Sequence, residues 1–137
     1  MTPEQFAELQ QNMSGFNGSQ EFFALGFPNR NVYVTEGIKY FAAHAQCWWL
    51  ITDLACYLPT ILRSSKPNYD KLKNKQFWKL KTAADGSALL TCGDGDGNNA
   101  IITQKYTSTC FPPNVEVQVW LFRNSEKDFM VLLPSEY

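Results

Sequence analysis

The residues best suited to chemistry lie in one apolar stretch, Val34–Pro59, which holds His44, Cys47 and Asp53. On a helix His44 and Cys47 would share a face, because residues three apart are neighbours there. A histidine beside a thiol is the arrangement of a cysteine nucleophile and its base. Asp53 is nine positions from His44 and does not complete a triad on that face. We therefore keep a small Cys/His enzyme as the last of three functional hypotheses.

The His44–Cys47 pair could also begin a zinc site, since imidazole and thiolate are common zinc ligands. However, the sequence contains no C-x-x-C pair, and the other cysteines are scattered at positions 56, 92 and 110. We therefore predict no metal and no cofactor. Four free thiols are expected, as in a reducing cytosol.

Asp53 is notable because a carboxylate in an apolar run is costly unless it is paired. A tryptophan indole, a tyrosine hydroxyl or a lysine of the following segment could supply the partner. The composition of the run favours a structural polar residue in the core, and a functional role for Asp53 stays open.

Charge is segregated along the chain although the formal net charge is only −1. The segment 63–81 holds seven of the twelve basic residues and a single acid, Asp70. Its basic residues are Arg63, Lys66, Lys71, Lys73, Lys75, Lys79 and Lys81. They could bind phosphates, with Tyr69, Phe77 and Trp78 available to stack on bases. Alternatively, they form a solvated segment that keeps an edge strand soluble.

An acidic, glycine-rich stretch contains Asp94, Asp96 and Asn98 at alternate positions, like the start of a calcium loop. The full loop requires glycine next and glutamate at its twelfth position. The sequence has Asn99 and Lys105 there. A hairpin tip therefore explains the stretch better, and its acids Asp94 and Asp96 could meet a basic partner.

The 137 residues are enough for one domain. Thr2 and Gln5 can form a capping box for a first helix. We predict a second short helix at Glu21–Leu25. Thr35 can cap a central helix reaching Leu58, with a break near Gln46. From residue 76 the apolar pattern has period two.

We predict one α+β domain with about five antiparallel strands and helices on one sheet face. It divides into a mainly helical region at residues 1–62, a basic connection at 63–75 and strands at 76–137.

Composition argues against several classes of protein. The polar, acidic beginning does not resemble a secretory leader. The apolar run Cys47–Leu58 is too short for a membrane span of about 20 residues. The chain has no P-loop, G-x-G-x-x-G, H-E-x-x-H or G-x-S-x-G motif. We expect a cytoplasmic protein that is not an enzyme, either a monomer or a homodimer.

Several motifs together resemble a family of small uncharacterised proteins found in bacteria, on plasmids and in phages. The motifs are YVTEGIKYFA at 33–42, WWLITD at 48–53, LTCGDGDG at 90–97, TCFP at 109–112 and LLPSEY at 132–137. The resemblance covers nearly the whole chain. It implies no catalytic residue, but it does imply a mobile-element setting, in which small proteins often inhibit host defence.

The first functional hypothesis is therefore a non-enzymatic phage or plasmid protein that binds and inhibits a host defence protein or nucleoprotein complex, for example as an anti-CRISPR protein. Acidic residues would mimic nucleic acid in basic channels of the partner. These acids are Asp94, Asp96, Glu126, Asp128 and Glu136. The second hypothesis is a nucleic-acid-binding accessory protein that uses the segment 63–81.

Overall fold

The computed structural model describes residues 1–18, 21–26, 29–95 and 100–137. Within these ranges the helices are Pro3–Met13 (α1), Glu36–His44 (α2), Trp48–Cys56 (α3), Leu58–Arg63 (α4) and Pro67–Asp70 (α5). The strands are Phe22–Gly26 (β1), Asn29–Thr35 (β2), Lys75–Thr82 (β3), Ala88–Gly93 (β4), Ile102–Tyr106 (β5), Glu116–Arg123 (β6) and Phe129–Leu132 (β7). A 3₁₀ turn, Pro134–Glu136, follows the last strand.

The two predicted helix starts follow local capping chemistry, with Thr2 capping α1 and Thr35 capping α2. The predicted end of the central helix at Leu58 is wrong, because α3 ends at Cys56 and α4 then begins at Leu58. The Thr2 hydroxyl accepts from the Gln5 N–H at 3.1 Å, and the Gln5 side chain accepts from the Thr2 N–H at 2.9 Å. This reciprocal pair satisfies two N–H groups that have no partner within the helix. The predicted break is also present: Gln46 has φ = 53°, a left-handed conformation that ends α2 before α3 begins.

The seven strands form one mixed sheet in the order β1-β2-β7-β6-β3-β4-β5. The α+β domain is thus confirmed, but about five antiparallel strands is wrong. Strands β3 to β7 cover the predicted strand region, whereas β1 was not expected and β2 was expected only as a brief extended piece at Asn31–Val34. Strand β2 pairs in parallel with β7, which comes almost a hundred residues later in the chain.

The predicted second helix at Glu21–Leu25 is also wrong, because Phe22–Gly26 is strand β1. So short an apolar run has no periodicity that separates helix from strand. Its antiparallel pairing with β2 decides the matter. The predicted helical region, residues 1–62, therefore also contains a two-stranded edge of the sheet, and the predicted connection 63–75 contains the short helix α5.

The two faces of the sheet differ, and we call them the covered face and the open face. The covered face packs against the helices: the Trp78 ring lies 5.4 Å from that of Tyr57, between α3 and α4. Side chains buried there are Val32, Val34, Gln76, Trp78, Leu80, Thr82, Ala88, Leu90, Cys92, Ile102, Val117, Val119, Leu121, Phe129 and Val131. Alternate residues of the same strands point to the open face.

Hydrogen bonds satisfy the side chains of Gln76 and Trp78, which are buried on the covered face. The Trp78 indole donates to Gln76 Oε1 at 2.8 Å, and Gln76 Nε2 donates to the Leu72 carbonyl at 3.1 Å.

Across the described residues, no helix has the length and apolar character needed to cross a membrane.

Candidate functional site

The open face carries four clustered aromatic rings, which we call the aromatic platform: Phe77, Trp120, Phe122 and Tyr137. Strand pairing sets Phe77 directly opposite Trp120. Neighbouring ring centroids lie 5.0–5.7 Å apart, mostly edge to face. The three strand residues are half-buried, and Tyr137 is 76% exposed. Part of each ring therefore remains accessible on this face.

Tyr137 is held in the platform by Glu136. The Glu136 carboxylate accepts hydrogen bonds from the Thr35 hydroxyl at 2.6 Å, the Gly37 N–H at 3.2 Å and the Leu133 N–H at 3.0 Å. It lies at the N-terminus of α2, where the helix dipole favours a negative charge. The tail is therefore fixed to the helical layer while its last ring reaches the open face.

Gly37 allows this close approach. A Cβ there would lie 2.5 Å from Glu136 Oε1 and 2.7 Å from Leu133 Cδ1. Two of the motifs that carried the resemblance, 33–42 and 132–137, thus meet in space. Their contact is structural and positions the platform.

Lysines border the aromatic platform. Lys75 pairs across the strands with Phe122, and its Nζ lies 5.4 Å from the Phe122 ring centroid and 5.7 Å from that of Tyr137. Lys79 and Lys81 follow at alternate positions of β3 and are exposed on the same face. The Lys79 ammonium lies 3.9 Å from the Glu116 carboxylate. The sheet thus brings together three of the predicted basic residues.

The other predicted basic residues do not join this face. Lys73 pairs with Asp70 at 2.7 Å, and Lys71 lies 3.7 Å from the Asp94 carboxylate. Lys66 lies over the ring of Tyr69, 5.6 Å from its centroid. Arg63 is exposed at the end of α4. The segment 63–81 is therefore not one continuous basic surface.

The predicted acidic tip is only partly described. The side chain of Asp94 is 14% exposed and faces Lys71, while Asp96 and Asn98 lie outside the described residues. Gly95, at φ = 90°, packs on the Phe77 ring, since a Cβ there would lie 2.7 Å from a ring carbon. The beginning of the tip therefore borders the aromatic platform.

Asp53 is half-buried at the rim of the helical layer. This position differs from the prediction, which placed Asp53 in the core. It accepts a hydrogen bond from the Tyr106 hydroxyl at 2.7 Å. Burial, and then this hydrogen bond, raise the pKa of Tyr106 well above its ordinary value. The bond ties α3 to the edge strand β5.

The structure separates His44 from Cys47. The exposed His44 ring stacks on Tyr40 with centroids 3.8 Å apart, and its Nδ1 lies 2.9 Å from the Tyr40 carbonyl oxygen. Cys47 is fully buried, and burial raises the pKa of its thiol. The cysteine that lines a cleft with His44 is instead Cys110; that cleft, of about 520 Å³, lies beside α1.

Burial also raises the pKa of Cys110, so this thiol is not held as a reactive thiolate. All four cysteines are free thiols. Within the described ranges, no group of three or more His, Cys, Asp or Glu side chains could hold a metal ion.

Two expectations about the stacking residues change. Trp78, predicted as a stacking residue, is only 1% exposed and lies on the covered face. Trp120, Phe122 and Tyr137 were not predicted as site residues. The alternation of β6 carried the signal, because its valines take one face and leave Trp120 and Phe122 on the other.

Comparison with known families identifies the chain. Residues 7–137 match the model of a family of unknown function (DUF6876), and the chain therefore belongs to that family. The comparisons with curated proteins and with solved structures gave no significant match.

Proposed function

We propose that this protein is a non-enzymatic binding protein that holds single-stranded nucleic acid on the open face of its sheet. The observation that carries the proposal is the aromatic platform bordered by Lys75, Lys79 and Lys81. Single-stranded nucleic acids are held by rings on which bases stack and by cations beside the backbone. Sheets with exposed aromatic residues are a common surface for this purpose.

The energetics agree with this role. Each base stacked on an aromatic side chain contributes about 1–3 kcal/mol. Trp120 and Phe122 are stacked on each other, with a centroid distance of 5.7 Å and an interplanar angle of 27°. Packing against neighbouring rings fixes both side chains before a ligand arrives, which lowers the entropy lost on binding.

A single strand is favoured over a duplex, because bases in a duplex are already stacked and cannot lie on protein rings. The net charge of −1 also argues against binding driven by charge alone. Stacking supplies much of the affinity in this proposal, and the lysines orient the backbone.

Inhibition of a host defence complex stays a prediction, as does the phage or plasmid setting. Acidic mimicry has less support, because several of the acids have partners inside the fold. Asp94 faces Lys71, Glu136 binds the N-terminus of α2, and the Asp128 carboxylate lies 3.3 Å from the Ser125 hydroxyl. An inhibitor that competes for single-stranded nucleic acid would use the same open face.

The absence of enzymatic activity is also a prediction. Its support is the raised pKa of both Cys47 and Cys110, which disfavours the nucleophilic thiolate. The half-buried Asp53 is engaged by Tyr106.

The test measures binding of fluorescent single-stranded DNA and RNA by fluorescence anisotropy, with duplex DNA for comparison. Trp120→Leu keeps an apolar side chain but removes the indole. We expect it to weaken single-strand binding about tenfold, the equivalent of about 1.4 kcal/mol of stacking. Trp48→Leu is the matched control, because Trp48 is 38% exposed on α3, away from the open face. Equal affinity of the unmodified protein and the Trp120 variant would contradict the proposal.

A further inference from the structure

Two lysines lie in one row at the far end of the open face. Leu89 of β4 pairs with Lys81 of β3 on one side and with Lys105 of β5 on the other. All three side chains are exposed, Leu89 at 37%. Neighbouring strands are about 4.8 Å apart, so the two lysine backbones are separated by about 10 Å. Their flexible side chains can converge on one anion above Leu89.

A cleft at this position brings together groups that can bind an anion. It has a volume of about 450 Å³, and its lining includes both lysines together with Ser87 and Thr107. The two ammonium groups and the Thr107 hydroxyl can donate hydrogen bonds to an anion, whereas the Ser87 hydroxyl already donates to the Asp85 carboxylate at 2.6 Å. Among the described residues, no carboxylate belongs to the lining itself. Glu116 pairs across from Lys81 on the side away from the cleft, and its carboxylate lies 3.9 Å from Lys79.

We infer that this cleft binds a backbone phosphate of the same strand whose bases stack on the aromatic platform. The inference rests on the proposed function and adds the path of the ligand across the sheet. Phe77 and Lys81 are four residues apart on β3, a distance of about 13 Å along the strand. With two strand spacings to β5, the path from Phe77 to Lys105 is about 16 Å long.

This length sets a minimum size for the ligand. A dinucleotide that stacks on the platform is too short to reach Lys105. A strand of roughly four or more nucleotides, the lower end of known site sizes, can occupy both places. Lys105 should therefore matter only for the longer ligands.

The experiment compares oligothymidylates of two and roughly eight nucleotides at several salt concentrations. In Lys105→Ala, we expect weaker binding of the longer strand and a log K against log salt slope smaller by about 0.7, the loss of one phosphate contact. Binding of the dinucleotide should not change. Lys127→Ala is the control, because Lys127 is exposed in the turn between β6 and β7.

The outcomes separate the two proposals. If the unmodified protein binds the longer strand but Lys105→Ala leaves its affinity and salt slope unchanged, the phosphate site is overturned and the proposed function stands. If the longer strand does not bind at all, both are overturned. Circular dichroism of the variants verifies that each retains the fold.

Discussion

Aromatic residues have different roles on the two faces of this sheet. Phe77 and Trp78 are adjacent on β3, yet Trp78 is 1% exposed under the helices while Phe77 lies in the aromatic platform. Trp78 has its indole N–H satisfied by Gln76. Trp120, across from Phe77, keeps some of its ring accessible. The covered face therefore provides stability, and the open face provides a surface for recognition.

The largest expected effect comes from truncating tryptophans on the two faces. Trp78→Ala should cost about 3–5 kcal/mol of unfolding free energy, because it empties a fully buried site. It also leaves the Gln76 carbonyl oxygen without its donor. Trp120→Ala should cost clearly less, since the ring is only half-buried. Urea unfolding followed by circular dichroism measures both, and equal losses would remove the distinction between the faces.

Gly37→Ala tests the link between the faces. The added methyl would overlap Glu136 and Leu133, and overpacking of this kind costs about 1–3 kcal/mol, offset by up to about 1 kcal/mol of helix propensity. We expect a net loss of stability and a weaker near-ultraviolet circular dichroism signal as Tyr137 leaves the platform.

Gly15→Ala is the control, because a Cβ there makes an ordinary contact of 3.4 Å. A change in the stability of Gly37→Ala equal to the change in Gly15→Ala would show that the tail is not tightly fixed.

The smallest expected effect is the share of Cys92 in the alkaline pH dependence of stability. Cys92 lies on the covered face and is one of several thiols whose pKa is raised by burial. Burial raises the pKa of Cys92 far above the ordinary thiol value of roughly 8.5–9. Above that value the unfolded chain loses the thiol proton first, so it binds fewer protons than the folded chain. Stability should therefore fall by about 1.4 kcal/mol per pH unit for this thiol.

Urea midpoints at pH 8 and pH 10 measure this fall. Cys92→Ala should make it shallower. The neighbouring Thr91→Ala, on the open face, should leave the pH dependence as it is in the unmodified protein. A slope that is the same in all three proteins would contradict the assignment to the buried thiol.

Much of the fold follows from local signals in the sequence. The capping box of Thr2 and Gln5, the break at Gln46 and the alternation of β6 each depend on neighbours within a few residues. Strands β1 and β2 do not follow from local signals, because they form by pairing with each other and with β7. No local pattern encodes a partner so far along the chain.

The candidate site was predicted less completely than the fold. Lys75, Lys79 and Lys81 belonged to the predicted basic segment and do share a face. Lys71 and Lys73 also belonged to it, but they pair with Asp94 and Asp70. Sequence composition gives the number of charges, whereas their pairing depends on which residues the fold brings together.

Short-range patterns in the sequence were enough for the starts of α1 and α2, the break after α2, five of the strands and the segregation of basic residues, because each of these depends on near neighbours. Only the folded chain decided that Glu136 would bind the start of α2 and so carry Tyr137 to Trp120 and Phe122. It also decided that His44 and Cys47 would be separated. Both outcomes depend on which surfaces the helices bury, and that choice is made by the packing of the whole chain.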